Sequence, residues 1–319
     1  MNRRHLLAAA LAAPAVAHAQ WTPDRPLRLV VPFAAGGPAD LFGRIFAEAL
    51  SAQLRQPVVV ENRAGAGGLV GTDAVAKAAP DGLTLGFTGP GALSIAPAMQ
   101  QQMPLDVMKD LHHVTLVVRV PEVMVVNAAS GPASLAALIA AARAKPGETT
   151  FGSAGVGSLT QMAGALLAAE AGIQALHIPY RGAAPATTDL IAGRFTYMIA
   201  DVPVLAPHIT AGVLRPLAVT TAARIPTLAD VPTTAELGLP RVNSDNWYGL
   251  AVAAGTPAPV RARLNEAAMA ALRSPALVRA FGEQGGAASP LDPDAYLAFL
   301  RAEAEKWGAV ARATGADRS

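Results

Sequence analysis

The 319-residue chain contains no cysteine, which excludes disulfides, thiol catalysis and thiolate metal sites. Charged residues make up only 15% of it and aromatic residues 5%, and no cluster of Lys and Arg occurs. The first nineteen residues carry two of the 25 basic residues and none of the 23 acidic ones, so the rest has a formal charge of 23 minus 23, or zero. A neutral surface lacks the basic patch that nucleic acids require, so we expect no nucleic-acid partner.

Residues 1–19 have the pattern of a secretory signal. Arg3 and Arg4 precede an apolar run at residues 6–16, which is too short to cross a bilayer, and Ala17 and Ala19 form an A-x-A cleavage site. The sequence therefore predicts cleavage after Ala19 and export to the periplasm, by either the Sec or the twin-arginine route. No later apolar segment is long enough for a membrane helix.

The rest of the chain alternates short β-branched runs with Ala/Leu-rich stretches of helical period, which predicts an α/β fold with a mostly parallel sheet. Two βαβ series are separated by long extended segments at 111–127 and 246–255, so we expect two doubly wound lobes, with the chain crossing between them twice. The predicted boundaries are a discontinuous first lobe at 20–122 plus 248–319 and a second lobe at 123–247. Paired crossovers predict a hinge and a ligand cleft between the lobes.

The common catalytic and cofactor motifs are missing, so we expect neither a cofactor nor a metal. GAGGLVG places Val70 where a dinucleotide-binding loop needs a small residue, and neither a phosphate-binding loop nor a G-x-S-x-G elbow occurs. The four histidines after residue 19 lack metal-ligand spacing, and we expect His177 to be packed or hydrogen-bonded within a strand. Asp292 and Asp294 are expected to cap a helix, and Glu303 and Glu305 to lie on a solvated helix face.

Two glycine-rich turns join a strand to a helix and present backbone amides at the positive end of a helix dipole. VPFAAGGPAD, residues 31–40, belongs to the first predicted lobe, and GSAGVGSLTQ, residues 152–161, belongs to the second. Either turn alone is explained as a tight connection. One in each lobe favours a carboxylate held from both sides of a cleft.

Six segments in order resemble the solute-binding proteins of tripartite tricarboxylate transporters, the Bug family. They include LRLVVPFAAGGPADLFGR, FGSAGVGSLTQMAGALL and HIPYRGAAPATTDLIAG, and the likeness runs from about residue 25 to the C-terminus. The resemblance implies a two-lobed, type II-like periplasmic binding protein. It further implies a non-catalytic monomer that captures a small organic carboxylate and presents it to membrane transporter subunits. It also implies ligand-binding roles for eleven residues: Phe33, Ala35, Gly36, Asp40, Thr88, Ser153, Gly157, Ser158, Thr160, Tyr180 and Asp201.

Three positions leave alternatives open. Gln161 and Arg181 stand where the family often has His and Lys, so the identity of the acid does not carry over. As a cleft residue, Asp201 repels a second carboxylate of the ligand, unless it instead accepts a hydrogen bond from an amine or hydroxyl of the ligand. The alternative is that Asp201 caps the helix that follows. An exported enzyme on the same scaffold and a ligand sensor for a signalling receptor are the rival functions.

Overall fold

The computed structural model describes residues 21–99 and 103–315, so the predicted signal sequence lies outside the described residues. The strands are β1 Leu27–Val31, β2 Val58–Asn62, β3 Thr84–Thr88, β4 Leu111–Asn127, β5 Thr149–Ser153, β6 Ala175–Pro179, β7 Tyr197–Asp201, β8 Leu214–Val219, β9 Asp245–Ala253 and β10 Ala287–Ala288. The longer helices are α1 Pro38–Leu54, α2 Leu69–Ala76, α3 Leu135–Ala144, α4 Leu159–Ala171, α5 Ala183–Ile191, α6 Val202–Thr210, α7 Ala258–Leu272, α8 Pro275–Glu283 and α9 Pro293–Thr314. Short helical turns lie at Ala66–Gly68, Gly91–Ile95, Ala96–Ala98 and Pro226–Leu228.

The strands form a sheet in the order β2-β1-β3-β9-β4-β7-β5-β6, and β8 and β10 also pair with β4. The pairs among β1, β2 and β3 are parallel, and so are those among β5, β6 and β7. The crossover strand β4 is antiparallel to its neighbours, pairing with β9 through residues 111–121 and with β7 and β8 through residues 122–127. The expected parallel sheet is therefore present within each βαβ series, and the crossover strands make the whole sheet mixed. The predicted lobe boundaries fall inside β4 and β9 and stay a prediction.

Both faces of the sheet are covered by helices, which explains the continuous apolar runs of the strands. In β1, Leu29 and Val31 pack with α1, α7 and α8, whereas Val30 between them packs with α2 and α9 on the other face. In β4, Val123 and Val125 face α5 and α6, and Met124 and Val126 face α3 and α4. The alternation follows from the two-residue period of a strand. No helix in the described ranges is both long and apolar enough to cross a bilayer.

The helix starts match the sequence signals. Pro38 begins α1, and Asp40 lies in its first turn, where a negative charge complements the helix dipole. Asp292 caps α9, because its side chain accepts a hydrogen bond from the Ala295 amide at 2.8 Å. These starts fix the direction in which the helices leave the sheet.

The prediction that Glu303 lies on a solvated face was wrong. The residue is 8% exposed, and its Oε2 accepts hydrogen bonds from the indole nitrogens of Trp247 and Trp307, each at 3.0 Å. Glu305, two residues along α9, is exposed as expected. The two indoles supply the donors that make burial of the Glu303 carboxylate tolerable.

A candidate ligand cleft between the two halves of the sheet

A cleft of about 990 Å³ lies between two halves of the sheet, the first containing β1, β2 and β3 and the second containing β5, β6 and β7. The first half contributes the turn after β1, residues 32–39, together with residues 64–68 and 90–91. The second contributes residues 154–156 and 158–160 and parts of the chain between 180 and 208. Asn246 and Tyr248 of β9 also line it. The cleft therefore opens where the ends of parallel strands from both series meet, which is where open α/β sheets bind ligands.

Asp40 holds the first turn in shape. Its carboxylate accepts hydrogen bonds from the Gly36 amide and the Asn62 side chain, each at 3.0 Å, and it pairs with Arg44 at 2.9 Å. Burial acts to raise the pKa of Asp40, but the hydrogen bonds from Arg44, Gly36 and Asn62 hold that pKa below its usual value. Gly36 has φ +82°, a conformation that favours glycine. Asp40 thus braces the loop from behind and does not itself line the cleft.

The second turn is held by its own hydroxyl and amide groups. Ser158 caps α4, its Oγ accepting from the Gln161 amide at 3.3 Å and donating to the Gly155 carbonyl at 2.6 Å. Thr160 Oγ1 accepts a hydrogen bond from the Ala154 amide at 2.8 Å. The Gly157 amide donates to Gln161 Oε1 at 2.7 Å, so this amide is occupied within the loop. The Gln161 side chain therefore stiffens the turn.

Seven of the eleven predicted ligand-binding residues line the cleft: Phe33, Ala35, Gly36, Ser158, Thr160, Tyr180 and Asp201. The other four do not line it: Asp40, Thr88, Ser153 and Gly157. Like Asp40 and Gly157, Thr88 and Ser153 are hydrogen-bonded within the protein, to the Gly249 and Gly155 carbonyls among others. The binding role of all eleven stays a prediction. Asn246 and Tyr248 were missed, although they lie in the extended segment predicted at 246–255.

Ser153 and His177 form an arrangement that resembles part of a catalytic site. Ser153 Oγ and His177 Nε2 are 2.6 Å apart, and the imidazole stacks on Phe151 with 5.1 Å between ring centroids. Ser153 is fully buried, and neither it nor His177 lines the cleft. The contact supports the second turn from below, as expected for a packed histidine, and leaves the hydroxyl out of reach of a cleft ligand. No group of His, Asp and Glu suited to a metal ion occurs among the described residues.

Two buried carboxyl groups lie where the chain crosses between the halves. Glu122 of β4 is the register partner of Asp201 of β7, and burial raises the pKa of Asp201 to about 7. Burial, followed by the nearby Asp201 carboxyl, raises the pKa of Glu122 to about 8. Asp201 accepts hydrogen bonds from the Asn246 side-chain amide at 2.9 and 3.1 Å, and that amide also contacts the Tyr248 hydroxyl at 3.0 Å. Asp201 occupies the position before α6, but its carboxylate makes no capping hydrogen bond.

Arg181 and His208 are the cationic or potentially cationic side chains of the cleft lining. Arg181 is exposed and forms no ion pair within the described ranges. Tyr180 beside it donates its hydroxyl to Asp189 at 2.9 Å, which fixes the start of the segment leading into α5. The second half therefore presents positive charge to the cleft, while its single acidic lining residue is Asp201.

Three glycines bring the loops of the two halves together. A Cβ built on Gly91 would lie 2.2 Å from the Gly67 carbonyl oxygen and 3.2 Å from that of Gly157. A Cβ on Gly67 would lie 3.0 Å from the same Gly157 oxygen. The missing side chains allow backbone contact between the halves at one edge of the cleft.

Gly91→Ala is therefore expected to lower the free energy of unfolding by about 1 to 3 kcal/mol, because the methyl group must displace backbone. Urea unfolding measures the change. Gly282→Ala is the matched control, since the Cβ there meets nothing within 4 Å and the residue lies in α8, where alanine is favoured. Equal stability of the two variants would show that the glycine contact is not tight.

The sequence comparisons agree with this architecture. Residues 42–316 match the model of the tripartite tricarboxylate transporter family receptor. Protein BugT of Bordetella pertussis is 38% identical over 325 residues, covering 99% of each chain.

Two solved structures have the same fold over nearly their whole length. R. palustris Rpa4515 with adipate is 33% identical with a TM-score of 0.87, covering 92% of this chain and 98% of the other. MatC from Rhodopseudomonas palustris with bound malate is 29% identical with a TM-score of 0.84, covering 90% and 99%. The match of the family model and of BugT over most of the chain shows that this protein belongs to the tripartite tricarboxylate transporter receptor family, the two-lobed periplasmic solute-binding proteins of the Bug type.

Proposed function

We propose that this protein captures a small organic carboxylate in the cleft and delivers it unchanged to the membrane subunits of a tripartite tricarboxylate-type transporter. The observation that carries the proposal is the pair of strand-to-helix turns, residues 31–40 and 152–161, which line the same cleft from opposite sides. Amide groups and helix dipoles of both turns, together with hydroxyls of the second turn, suit an anion. The two solved relatives hold adipate and malate, which are both dicarboxylates.

The cleft volume supports closure around the ligand. About 990 Å³ is at the upper end of the range for ligand pockets and exceeds the needs of a four- to six-carbon acid. We propose that β4 and β9 bend where they cross between lobes with the boundaries 20–122 plus 248–319 and 123–247. Bending brings the two turns together and replaces the ligand's hydration by protein groups and ordered water.

The remaining features of the proposal concern the mature protein. Export removes residues 1–19, the chain functions in the periplasm as a monomer, and the cleft performs no turnover. Ser153 is fully buried and neither it nor His177 lines the cleft, which supports a binding role over an enzymatic one. Size-exclusion chromatography with light scattering tests the monomer, and NMR of a ligand incubated with protein tests for turnover.

The chain beginning at Gln20 is expected to be stabilised by at least one member of a panel of succinate, malate, adipate and citrate. Ligand at 100 times its Kd adds about 2.7 kcal/mol to the free energy of unfolding, and the matching diamides are expected to add nothing. Thermal unfolding detects the shift, and calorimetry gives the Kd. If no acid of the panel raised the unfolding temperature, the result would contradict the proposal.

Ser158→Ala and Ser134→Ala form a matched pair of variants for this experiment. Both serines cap a helix through their Oγ, at 3.3 Å in α4 and 3.1 Å in α3, but only Ser158 lines the cleft. Each change is expected to cost about 1 kcal/mol of stability. Only Ser158→Ala is expected to weaken carboxylate binding, by about tenfold, because the hydroxyl that holds the Gly155 carbonyl at 2.6 Å no longer shapes the turn that lines the cleft.

A further inference from the structure

The buried pair Glu122 and Asp201 joins the inner part of the sheet to the ligand cleft. Glu122 is fully buried on β4, and Asp201, its register partner on β7, is 5% exposed and lines the cleft. Both lie where β4 passes from one half of the sheet to the other. A change in the charge of this pair therefore alters its electrostatic interaction with a ligand in the cleft and with the crossover strand β4.

The groups that directly contact the pair are uncharged. Asp201 accepts from the Asn246 amide, and Glu122 accepts from the Ser244 hydroxyl through Oε2. Glu122 Oε1 is buried without a hydrogen-bond partner. Two neighbouring carboxylates with only neutral donors cannot both ionise cheaply, so the pair retains one proton near neutral pH.

The charged groups around the pair are engaged elsewhere. Asp245 on β9 is 3.3 Å from Arg119, and Lys306 on α9 is 3.6 Å from Glu303. Asp245 disfavours ionisation of Glu122, whereas Lys306 favours it from a distance. The other titratable groups of the cleft lining are Tyr180, Arg181, His208 and Tyr248.

We propose that Asp201 is a specificity-determining residue whose carboxyl, lying opposite the buried carboxyl of Glu122, makes the binding of a dicarboxylate take up a proton from solvent. The inference rests on the proposed function, since it requires an anion in the cleft. A ligand held by the two turns brings its second carboxylate toward the acidic side chain of the lining. Like charges in a site of low polarity favour protonation of one of them. A proton moves from water or buffer to the carboxyl pair, and no bond of the ligand changes.

Linkage gives this uptake a definite pH dependence. Below about pH 6 both carboxyl groups are already protonated in the free protein, because both pKa values are raised. Ligand binding therefore takes up few protons there. Above pH 7 each proton taken up weakens binding by up to about tenfold per pH unit. The cleft therefore holds a dicarboxylate more tightly under mildly acidic than under alkaline conditions.

Calorimetry in phosphate and in Tris at pH 7.5 measures the uptake directly, because the two buffers differ in ionisation enthalpy. The titrant is succinate, malate or adipate, whichever binds in the panel. We expect about 0.5 to 1 proton per ligand for the unchanged protein and close to none for Asp201→Asn. The same uptake in Asp201→Asn, or a buffer-independent enthalpy in the unchanged protein, overturns the inference.

Three further variants make the result specific. His208→Gln removes the imidazole of the cleft lining and is expected to leave the uptake in place, as is Glu305→Gln on the exposed face of α9. Glu122→Gln removes the carboxyl group opposite Asp201 and is expected to lower the proton uptake at pH 7.5. If Asp201→Asn binds too weakly for calorimetry, the slope of log Kd between pH 7 and 9 in the unchanged protein decides, and a flat slope overturns the inference. Absence of any binding or thermal stabilisation would instead contradict the proposed function.

Discussion

Glu303→Met is expected to lower the free energy of unfolding by about 3 kcal/mol. The change removes the carboxylate oxygen that accepts hydrogen bonds from both Trp247 and Trp307 at 3.0 Å and leaves two buried indole N–H groups without a partner. An orphaned buried donor costs about 1 to 3 kcal/mol, and relief of the buried charge offsets part of the total. Urea unfolding followed by tryptophan fluorescence measures the loss and also reports on the two indoles.

Glu303→Gln and Glu305→Met are the controls. Glutamine keeps one side-chain oxygen that accepts hydrogen bonds, so we expect a loss of only about 1 kcal/mol. Glu305 is exposed on the same helix, and its change to Met is expected to stay within about 0.5 kcal/mol. If Glu303→Met were as stable as Glu303→Gln, the two indole hydrogen bonds would not be what holds α9 to β9.

The location of Trp307 gives this prediction a wider meaning. Trp307 is fully buried with Ile95 and Met99 of the first half and with Leu159 and Met162 of α4 from the second half. This cluster joins the two halves beside the cleft. Loosening α9 therefore weakens contacts on which the relative position of the two cleft walls depends.

Most of the fold could be predicted because it depends on local periodicity. The extended segment predicted at 111–127 is β4 with the same bounds, and the turn at 31–40 leads from a strand into a helix as expected. Pro38 and Asp292 marked helix starts for reasons that act within a few residues. The start of the helix at Pro275–Glu283 is harder to predict, because a single Ser-Pro step divides two alanine-rich stretches of similar polarity.

The side chains of the site were less predictable because their environment depends on distant residues. Glu303 has the helical neighbours of a surface residue, and only the packing of Trp247 from β9 explains its burial. The turns at 31–40 and 152–161 could be placed from glycine and strand patterns, but Asp40 and Gly157 proved to be hydrogen-bonded within them. Glu122 sits inside a long apolar strand, where no local pattern predicts that Asp201 lies opposite.

The raised pKa values of Glu122 and Asp201 also predict that the ligand-free protein loses stability as the pH rises from 6.5 to 8.5. Unfolded Asp and Glu lose their protons near pH 4, whereas folding raises the pKa of Asp201 to about 7 and that of Glu122 to about 8. Their contribution is fully present below pH 4 and is lost as the pH rises through 8. Across the stated window the loss is about 2 to 3 kcal/mol, or roughly 5 °C in Tm. Asp245, whose burial also raises its pKa, acts in the same direction.

The window above pH 6.5 separates this effect from that of His113. Burial lowers the pKa of His113 to about 4, so its contribution is present above pH 6.5 and is lost only as the pH falls toward 4. Glu122→Gln is expected to reduce the loss between pH 6.5 and 8.5 to about 1 kcal/mol, whereas Glu305→Gln is expected to leave it unchanged. Thermal unfolding at half-unit pH steps measures both. A wild-type Tm that is constant or rises across this window would mean that the pair ionises without penalty, and that the crossover strand tolerates two charges side by side.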